Sequence, residues 1–349
     1  MARIRDNDMK KVLVSKKKKK TCCCSQFAIF ISLLLSSIVV LVLIVMNQNQ
    51  LDVNYSTLDI LSITPTTVVQ NKPNNDINNN NTNNKMNSTT ATTTATAHHC
   101  INEDFYPQNK VGVWTMLNDN MDYVKGAAKL GIGVRAKTKT PVALVVMELK
   151  TKPLSDEMWD ILRPSGFIKC SVESIKAPEK TRGDLKEKFA VLHVWAMEIY
   201  ETVVFLDADT FVQNSIDDLI HMDLKGKPVG VTKDIRAKKW VDTFNSGVMV
   251  LHPSMTEHKR LVDLLYSGLK FDYIMSDQGF LNEVYKDNWH EIGFLNNANL
   301  ALYLFQRKFW DEHKLEDINI IHYTMQKPWK CRPNGGYGPI CKLWINAFA

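Results

Sequence analysis

Beyond its first twenty residues, this chain of 349 residues has almost no net charge. It contains 43 Lys and Arg against 37 Asp and Glu, which gives a formal net charge of +6. Residues 1–20 hold nine of the positive charges and two Asp, a balance of +7, so the remainder of the chain is close to −1. A nucleic-acid-binding domain needs clustered basic residues. The sequence therefore disfavours a nucleic-acid partner, although its pI is about 8.8.

Charged residues are absent altogether between Thr21 and Leu51, and Phe27–Met46 is an apolar run interrupted only by serines. Twenty helical residues extend about 30 Å, the thickness of the hydrocarbon core of a bilayer. A cleaved signal peptide has a shorter apolar core, about 7–15 residues, followed by small residues. We therefore predict a transmembrane anchor over residues 27–46, with a signal peptide and a buried core helix as weaker alternatives.

The orientation of the anchor follows from the lysines at positions 16–20, which lie immediately before it. Positive flanks stay on the cytosolic side of a membrane. Residues 1–26 are accordingly predicted to be a cytosolic tail, and the C-terminal part is predicted to lie in the lumen of the ER or Golgi, as in a single-pass type II membrane protein.

Residues 47–99 have little that could form a hydrophobic core, because Asn and Thr dominate them. Such a segment cannot bury enough apolar surface to offset its ordering entropy. We predict a disordered lumenal stem, which contains three sequons at Asn54, Asn80 and Asn87. The sequence after residue 100 contains no sequon.

Cysteines are few, seven in all, and three of them cluster at positions 22–24 beside the predicted anchor. The other four lie on the predicted lumenal side, where disulfides form. Cys331 and Cys341 enclose the flexible sequence RPNGGYGPI and are the expected pair. Cys100–Cys170 is a second candidate pair, and free thiols remain an alternative.

Residues 100–349 are predicted to be a single catalytic domain in which strands and helices alternate. The predicted strands are Val111–Met116, Val142–Met147, Thr202–Leu206, Val229–Thr232 and Val248–Leu251. The predicted helices are Tyr123–Leu130, ended by Gly131, then Ser155–Leu162, Lys186–Tyr200, Pro253–Ser267 and Ser276–Val284. Continuous apolar strands alternating with helices indicate an α/β fold whose mainly parallel, Rossmann-like sheet is covered by helices on both faces. Ligands bind such sheets at the carboxyl ends of the strands.

Two carboxylates follow directly on the strand TVVFL, at Asp207 and Asp209. Side chains at positions i and i+2 of an extended segment point to the same side. A pair of carboxylates is a hard oxygen site for a divalent cation that carries a phosphate-containing ligand. The alternative is an ordinary strand-to-helix turn capped by aspartates.

Several segments, in order, make residues 109–341 resemble the family 8 glycosyltransferases, the glycogenin-like and galactinol-synthase-like enzymes. They are Leu117-Asn118-Asp119 with Tyr123-Val-Lys-Gly-Ala127, His193-Val-Trp195, FLDADT, Phe244–Val250 (FNSGVMV), Ser276–Asn282 (SDQGFLN), and Ile321-His322-Tyr323 followed by Lys327-Pro328-Trp329. The spacing of His322 and Lys327 is closer to the plant glucuronosyltransferase-like members than to animal glycogenin. The resemblance implies a GT-A fold and a reaction that retains the anomeric configuration.

The resemblance also implies the residues of the site. Asp207, Asp209 and His322 would bind Mn²⁺ or Mg²⁺, and a neutral imidazole beside two carboxylates suits Mn²⁺. Asp277 and Gln278 would be catalytic, with Asp277 either a nucleophile or a group that stabilises the positively charged transition state. The UDP-sugar donor would be bound by Thr115, Leu117, Tyr123, Lys188, Asn245, Ser246, Gly247 and Lys327.

One departure from the family pattern concerns a lysine that the family has at the position of Val191. Lys188, one helical turn earlier, is the candidate substitute.

The expected partners are the nucleotide-sugar donor, an acceptor that is a glycan, a lipid or a protein, and the membrane. A homodimer is left open. The sequence leaves two other functions open. The strand followed by DADT also fits a phosphatase of the haloacid-dehalogenase type, but no Asp-Asp pair follows a later strand. The third hypothesis is a lumenal binding protein whose catalytic site has decayed.

Overall fold

A computed structural model describes residues 109–236 and 238–347 of the chain. The predicted cytosolic tail, the anchor, the stem with its three sequons, and Cys100 lie outside the described residues. Within the described ranges, no helix is both long enough and apolar enough to cross a bilayer.

Two sheets organise the described residues. The strands are β1 (Val111–Met116), β2 (Ala143–Leu149), β3 (Phe167–Val172), β4 (Thr202–Leu206), β5 (Thr210–Val212), β6 (Gly230–Arg236), β7 (Lys239–Leu251), β8 (His290–Glu291), β9 (Ala298–Asn299) and β10 (Ile320–His322). Seven of them form one sheet in the order β3-β2-β1-β4-β7-β6-β8, and three form a smaller sheet in the order β5-β10-β9.

The α-helices are α1 (Met121–Lys137), α2 (Asp156–Leu162), α3 (Asp217–Ile220), α4 (Met255–Tyr266), α5 (Ser276–Val284), α6 (Leu300–Phe305), α7 (Arg307–Asp311) and α8 (Gly338–Asn346). A 3₁₀ helix covers Gly183–Ala196, and shorter 3₁₀ turns cover Arg163–Ser165, Phe294–Asn296, Leu315–Asp317 and Pro328–Lys330.

The large sheet is mainly parallel, as predicted. Strands β3, β2, β1 and β4 run in the same direction, whereas β7 is antiparallel to both β4 and β6. The carboxyl ends of the four parallel strands consequently share one edge, and the segments that leave this edge carry the polar residues of the site. The predicted bounds of β1 and β4 agree with the structure residue for residue.

Alternate residues of the strands pack on opposite faces of the large sheet, as the pleat requires. Val203 and Phe205 of β4 belong to the cluster that α4, α5 and the long 3₁₀ helix cover. Val204 and Leu206 belong to the cluster that α1 and α2 cover. Because both faces of β4 are covered, all five of its residues are buried, which explains why Val203–Leu206 are apolar without interruption.

Two predicted helices differ from the structure. Helix α1 does not end at Gly131 but runs on to Lys137, since Gly131 and Gly133 let it pack closely against Phe167 and Val212. The predicted amphipathic helix Lys186–Tyr200 is instead the fourteen-residue 3₁₀ helix Gly183–Ala196. Its last eight residues are all buried, so the segment has no solvent-facing stripe over that length and is not amphipathic there.

A buried carboxylate holds the chain segment that follows β2. Glu148 is fully buried and accepts hydrogen bonds from the backbone N–H of Leu154 (2.9 Å), the indole of Trp159 (3.2 Å) and the hydroxyl of Ser171 (2.8 Å). Its neighbour Leu149 lines the cavity described below. Glu148 therefore helps to position one wall of that cavity.

The small sheet carries the C-terminal part of the chain back to the large one. Its core contains Phe211, Ile321, Tyr323 and Trp310, with helices α6, α7 and α8 packed around it. The predicted disulfide between Cys331 and Cys341 is present. Cys170 is also disulfide-bonded, but its predicted partner, Cys100, lies outside the described residues.

Candidate active site

The turn that contains both predicted metal-binding aspartates is held by backbone hydrogen bonds on three sides. Thr210 donates its N–H and its hydroxyl to the carbonyl of Asp207, at 2.9 and 2.7 Å. The N–H of Asp207 donates to the carbonyl of Gly247 on β7 (2.8 Å), and the N–H of Tyr323 donates to the carbonyl of Asp209 (3.0 Å). The turn therefore joins the large sheet to the small one.

His322 reaches this turn through the register of the small sheet. Strand β10 is antiparallel to β5, and His322 lies opposite Thr210, the residue directly after Asp209. The Nε2 atom of His322 is 3.4 Å from Oδ1 of Asp209 and 3.9 Å from Oδ2 of Asp207. One oxygen or nitrogen atom from each of the three side chains lies within 4.8 Å of the others. The geometry thus brings together the donor set that was predicted for a divalent cation.

Two lysines flank the carboxylates. Nζ of Lys188 is 2.9 Å from Oδ1 of Asp207, and Lys327 forms an ion pair with Asp209. Burial opposes the charge on Lys188, but the carboxylates of Asp207 and Asp277 hold its pKa above the ordinary lysine value. Burial likewise opposes the charge on Asp209, yet His322 and Lys327 hold its pKa below the usual range. The site therefore keeps Asp209 ionised and Lys188 protonated.

Val191, at the position where the resemblance implies a lysine, does not reach the cavity, whereas Lys188 lines it. Val191 is 1% exposed and belongs to the apolar core, so it cannot contact a ligand at the sheet edge. Lys188 lies three residues earlier on the 3₁₀ helix, at the margin of the cavity. This placement agrees with the predicted substitution.

Asp277 and Gln278 lie in the first turn of α5. Burial raises the pKa of Asp277 to about 6; Lys188 opposes the shift, and Asp207 adds to it. These electrostatic partners place Asp277 near the same carboxylate that Lys188 contacts. Ser276, which precedes Asp277, has a positive φ of 53° and donates its hydroxyl to the carbonyl of Leu185 (2.9 Å), so the start of α5 is tied to the 3₁₀ helix.

Gln278 is held at both ends of its amide group. Its Oε1 accepts hydrogen bonds from the side chain of Asn245 (3.3 Å) and the backbone N–H of Ser246 (3.2 Å). Its Nε2 donates to the carboxylate of Asp234 (2.9 Å), a buried residue of β6. Gln278 therefore bridges β6 and β7 beside the metal-binding turn.

A cavity of about 480 Å³ opens in front of the two aspartates. It lies at the carboxyl ends of β1, β2 and β4, where the parallel sheet was predicted to bind its ligand. Its lining includes four of the predicted donor-binding residues and both aspartates of the turn: Leu117, Tyr123, Lys188, Lys327, Asp207 and Asp209. The lining of the cavity thus combines apolar and aromatic side chains with charged groups.

The aromatic side of this cavity depends on a glycine of α1. Tyr123 packs edge to face on Trp329 at 4.6 Å between ring centroids. A Cβ on Gly126 would lie 2.5 Å from the carbonyl oxygen of Ala208 and 2.7 Å from the ring of Trp329. Helix α1 can therefore approach the metal-binding turn closely only because residue 126 has no side chain.

Four of the predicted donor-binding residues do not line the cavity. Thr115 is completely buried in β1, so the structure does not place it where a nucleotide could contact it. Asn245 and Ser246 lie in the wall with Gln278. Gly247 was expected to let the ligand approach the backbone, but the structure shows a different reason for a glycine there. A Cβ at this position would lie 2.1 Å from Cε1 of His322, so Gly247 makes room for the imidazole ring.

Two buried residues of the site were not identified from the sequence. Asp234 holds the amide of Gln278, and Asn297 lies 3.1 Å from Nδ1 of His322. The only signal for Asn297 was a cluster of three asparagines, at positions 296, 297 and 299, inside an otherwise apolar segment. Buried asparagines are costly unless they are hydrogen-bonded, so such a cluster indicates a polar network.

Comparison with known proteins supports the resemblance to family 8 glycosyltransferases. Residues 142–332 match the family described as Glycosyl transferase family 8. Putative UDP-glucuronate:xylan alpha-glucuronosyltransferase 4 of Arabidopsis thaliana is 30% identical over 225 residues, which cover 64% of this chain and 37% of that protein. Glycogenin-1 of Mus musculus is 29% identical over 241 residues, which cover 65% and 66%. The chain thus spans less than two fifths of the length of the plant relative.

Solved structures of low sequence identity share the fold. The apo form of the glycosyltransferase GlyE of Streptococcus pneumoniae TIGR4 superposes with a TM-score of 0.52 at 18% identity, over 68% of this chain and 60% of that one. LgtC, in complex with donor and acceptor sugar analogues, gives 0.51 at 17% identity, over 68% and 96%. These matches support the predicted GT-A type of α/β fold. Because the matched family region covers more than half of the chain and includes the metal-binding turn, this protein belongs to glycosyltransferase family 8.

Proposed function

We propose that the protein is a metal-dependent, retaining glycosyltransferase that moves a hexosyl group from a UDP-sugar to a glycan, lipid or protein acceptor. The observation that carries the proposal is the convergence of Asp207, Asp209 and His322 at the mouth of a cavity flanked by two lysines. Family membership favours this function over the phosphatase. The decayed site is disfavoured because every charged group that the chemistry needs is present.

The donor set fits a divalent cation. Two carboxylate oxygens and one imidazole nitrogen lie close enough together to bind the same ion, and this mixture of oxygen and nitrogen suits Mn²⁺. A bound divalent cation neutralises the negative charge of a diphosphate leaving group. Lys188 is paired with Asp207 and Lys327 with Asp209, so each lysine brings a further positive charge to the metal-binding carboxylates. They are positioned to bind and orient the phosphates.

The sugar would lie between the metal-binding turn and α5. Asp277 and Gln278 belong to α5, and the wall formed by Asn245 and Ser246 holds Gln278 in a single orientation. The carboxylate of Asp277 is suited either to attack the anomeric carbon or to stabilise the positive charge that develops there. Both roles agree with retention of configuration.

We propose glucose or glucuronic acid as the transferred sugar, because glycogenin and a putative UDP-glucuronate:xylan alpha-glucuronosyltransferase are among the proteins that resemble this chain. The test is a donor screen with the full chain and UDP-glucose, UDP-glucuronic acid, UDP-galactose and UDP-xylose. UDP release is measured with Mn²⁺, with Mg²⁺ and with EDTA. We expect release from one of the first two donors in the presence of metal, and none in EDTA.

Two outcomes would contradict the proposal. Undiminished UDP release in EDTA would exclude the metal-dependent chemistry. No release from any donor, by a chain that binds Mn²⁺ and unfolds cooperatively, would favour the decayed binding protein.

We propose further that the chain is a type II membrane protein of the ER or Golgi, with its catalytic domain in the lumen. The support is sequence alone: the apolar run 27–46, the preceding lysines and the sequons of the stem. Expression in a eukaryotic cell should yield a chain whose electrophoretic mobility increases after treatment with an endoglycosidase. The triple variant Asn54→Gln, Asn80→Gln, Asn87→Gln should show no such change. A wild-type chain that carries no glycan would argue against lumenal exposure of the stem.

A further inference from the structure

The second nitrogen of the His322 ring faces away from the carboxylates. Its Nδ1 lies 3.1 Å from Oδ1 of Asn297, and both side chains are almost completely buried. In the neutral imidazole, one nitrogen carries the hydrogen and the other has the lone pair that can bind a metal. Which nitrogen is protonated therefore decides whether Nε2 can act as a ligand.

The direction of the hydrogen bonds around this ring can be worked out from two backbone N–H groups, which are always donors. The N–H of Gly247 donates to the side-chain oxygen of Asn245 (3.0 Å), and the N–H of Ser246 donates to the oxygen of Gln278 (3.2 Å). The atoms that receive these bonds must be oxygens. The nitrogen of Asn245 then donates to the oxygen of Gln278, and the nitrogen of Gln278 donates to the carboxylate of Asp234. Every bond in this series is consistent in direction.

The same logic reaches His322 through Asn297. The atom of Asn297 that lies 3.1 Å from Oδ1 of Asn245 faces an acceptor, so it must be the amide nitrogen. The oxygen of Asn297 must then face Nδ1 of His322, which in consequence carries the hydrogen. In the neutral ring Nε2 then has the lone pair, on the side that faces Asp209 and Asp207, where a bound cation would lie.

We propose that Asn297 is a positioning residue that holds His322 in the Nδ1-protonated tautomer and thereby makes Nε2 available as the third metal ligand. The inference rests on the proposed function for its use of a metal, but the tautomer itself can be observed without one. Asn297 works together with Gly247, against which the ring packs. Gly247 determines where the ring lies, and Asn297 determines which nitrogen is protonated.

The test compares Asn297→Leu and Asn297→Asp with a matched control, Asn296→Leu. Asn296 is also buried, and it also makes two hydrogen bonds, with the carbonyl of Ile292 and the side chain of Asn319, but neither involves His322. Leucine removes the acceptor at similar volume, whereas aspartate retains an oxygen for the Nδ1 hydrogen. Cooperative thermal unfolding of each variant shows that it has folded, and Asn297→Ser replaces Asn297→Leu should the latter not fold.

The direct measurement is the ¹⁵N chemical shift of the His322 ring, in the full chain labelled at its nine histidines and without added metal. These shifts distinguish the two neutral tautomers from the cation, and His322→Gln identifies the signal. Spectra are recorded at increasing pH until no cation signal remains. We expect the Nδ1-protonated form in the wild type, in Asn297→Asp and in Asn296→Leu, and a mixture or the other tautomer in Asn297→Leu.

The second measurement is the affinity for Mn²⁺ alone, by the loss of its free electron paramagnetic resonance signal. Loss of the partner that orients a histidine ligand typically weakens metal binding about 10- to 100-fold. We expect this loss in Asn297→Leu, a smaller one in Asn297→Asp, and none in Asn296→Leu. The proposal is overturned when Asn297→Leu keeps the Nδ1-protonated tautomer, or when Asn296→Leu weakens Mn²⁺ binding equally. A failure of the proposed function would look different, because the tautomer signal would respond to Asn297 while no UDP-sugar is consumed.

Discussion

Replacement of Asp209 by asparagine is expected to reduce UDP release from the sugar donor on the order of 10²- to 10³-fold. Asp209 contacts His322 at 3.4 Å and is ion-paired with Lys327. The amide has the same shape as the carboxylate but no charge. The substituted side chain would therefore neither hold a divalent cation well nor balance the lysine, while its buried volume is unchanged.

The matched control for this experiment is Asp218→Asn. Asp218 is exposed on α3, so the same chemical change there should leave activity within about twofold of the wild type. Both variants are assayed for UDP release over a range of Mn²⁺ concentrations. Asp209→Asn should not be rescued at saturating metal, because the charge on the leaving group remains poorly balanced. An Asp209→Asn protein with the activity of the wild type would refute the metal assignment.

Replacement of Gly247 by alanine should also impair metal binding and donor turnover strongly, because the new side chain would clash with His322. The new Cβ would lie 2.1 Å from Cε1, 2.8 Å from Nδ1 and 2.9 Å from Nε2 of His322. The ring cannot easily retreat, because Asn297 holds Nδ1 and the residue is buried. Gly247 cannot easily move either, since its carbonyl accepts the N–H of Asp207. We expect Mn²⁺ affinity to fall at least tenfold and donor turnover to fall with it.

Gly336→Ala is the control for the glycine substitution, because a Cβ at residue 336 meets no atom within 4 Å in the described structure. Mn²⁺ affinity and thermal unfolding are measured for both variants. Gly247→Ala should lose metal affinity and some stability, while Gly336→Ala should retain both. Unchanged Mn²⁺ binding by Gly247→Ala would show that His322 has more freedom than its contacts indicate, or that it is not a ligand.

The elements that could be predicted from the sequence are those in which one local pattern dominates. The bounds of β1, β4 and α5 agree with the prediction because each has a sharp beginning and end. For example, β4 is the β-branched and apolar run TVVFL, bounded by Glu201 and Asp207. The ordering of these elements was enough to predict a mainly parallel sheet with a site at the carboxyl ends of its strands.

Other elements could not be predicted because their environment overrides the local pattern. Glycine is common just after the end of a helix, which is why the prediction ended α1 at Gly131. In the structure the helix continues, because Phe167 and Ser165 pack so closely against residue 131 that it can have no side chain. Strand β7 is thirteen residues long, although only its last four residues were predicted as strand. Its first five residues, KWVDT, are mostly exposed and become strand by pairing with β6, an interaction between segments that no local pattern contains.

Some residues of the candidate site could be predicted from the sequence, and others could not. The pair of Asp207 and Asp209 was evident from a single strand and the residues after it, and resemblance to a family supplied His322, Lys327 and Asp277. The positions of Thr115 and Asn297 could not be obtained in this manner. Thr115 follows the pattern of a site residue but is enclosed by neighbouring strands, and Asn297 lies in a segment with no motif.

The sequence by itself determined the class of fold, the kind of chemistry and the charged groups that could carry it, since these depend on residue types and on their order along the chain. The tertiary structure alone decided how the charges of the site are balanced and oriented. The +6 of the whole chain says nothing about this, because it belongs largely to residues 1–20. The ionisation of Asp209 depends instead on His322 and Lys327, and the position of the His322 ring depends on Gly247 and Asn297. In each case the residue that acts lies far along the chain from the group it acts on. Hydrogen bonds and ion pairs act only over a few ångströms, so folding had to bring these residues together before their effect on the site could be seen.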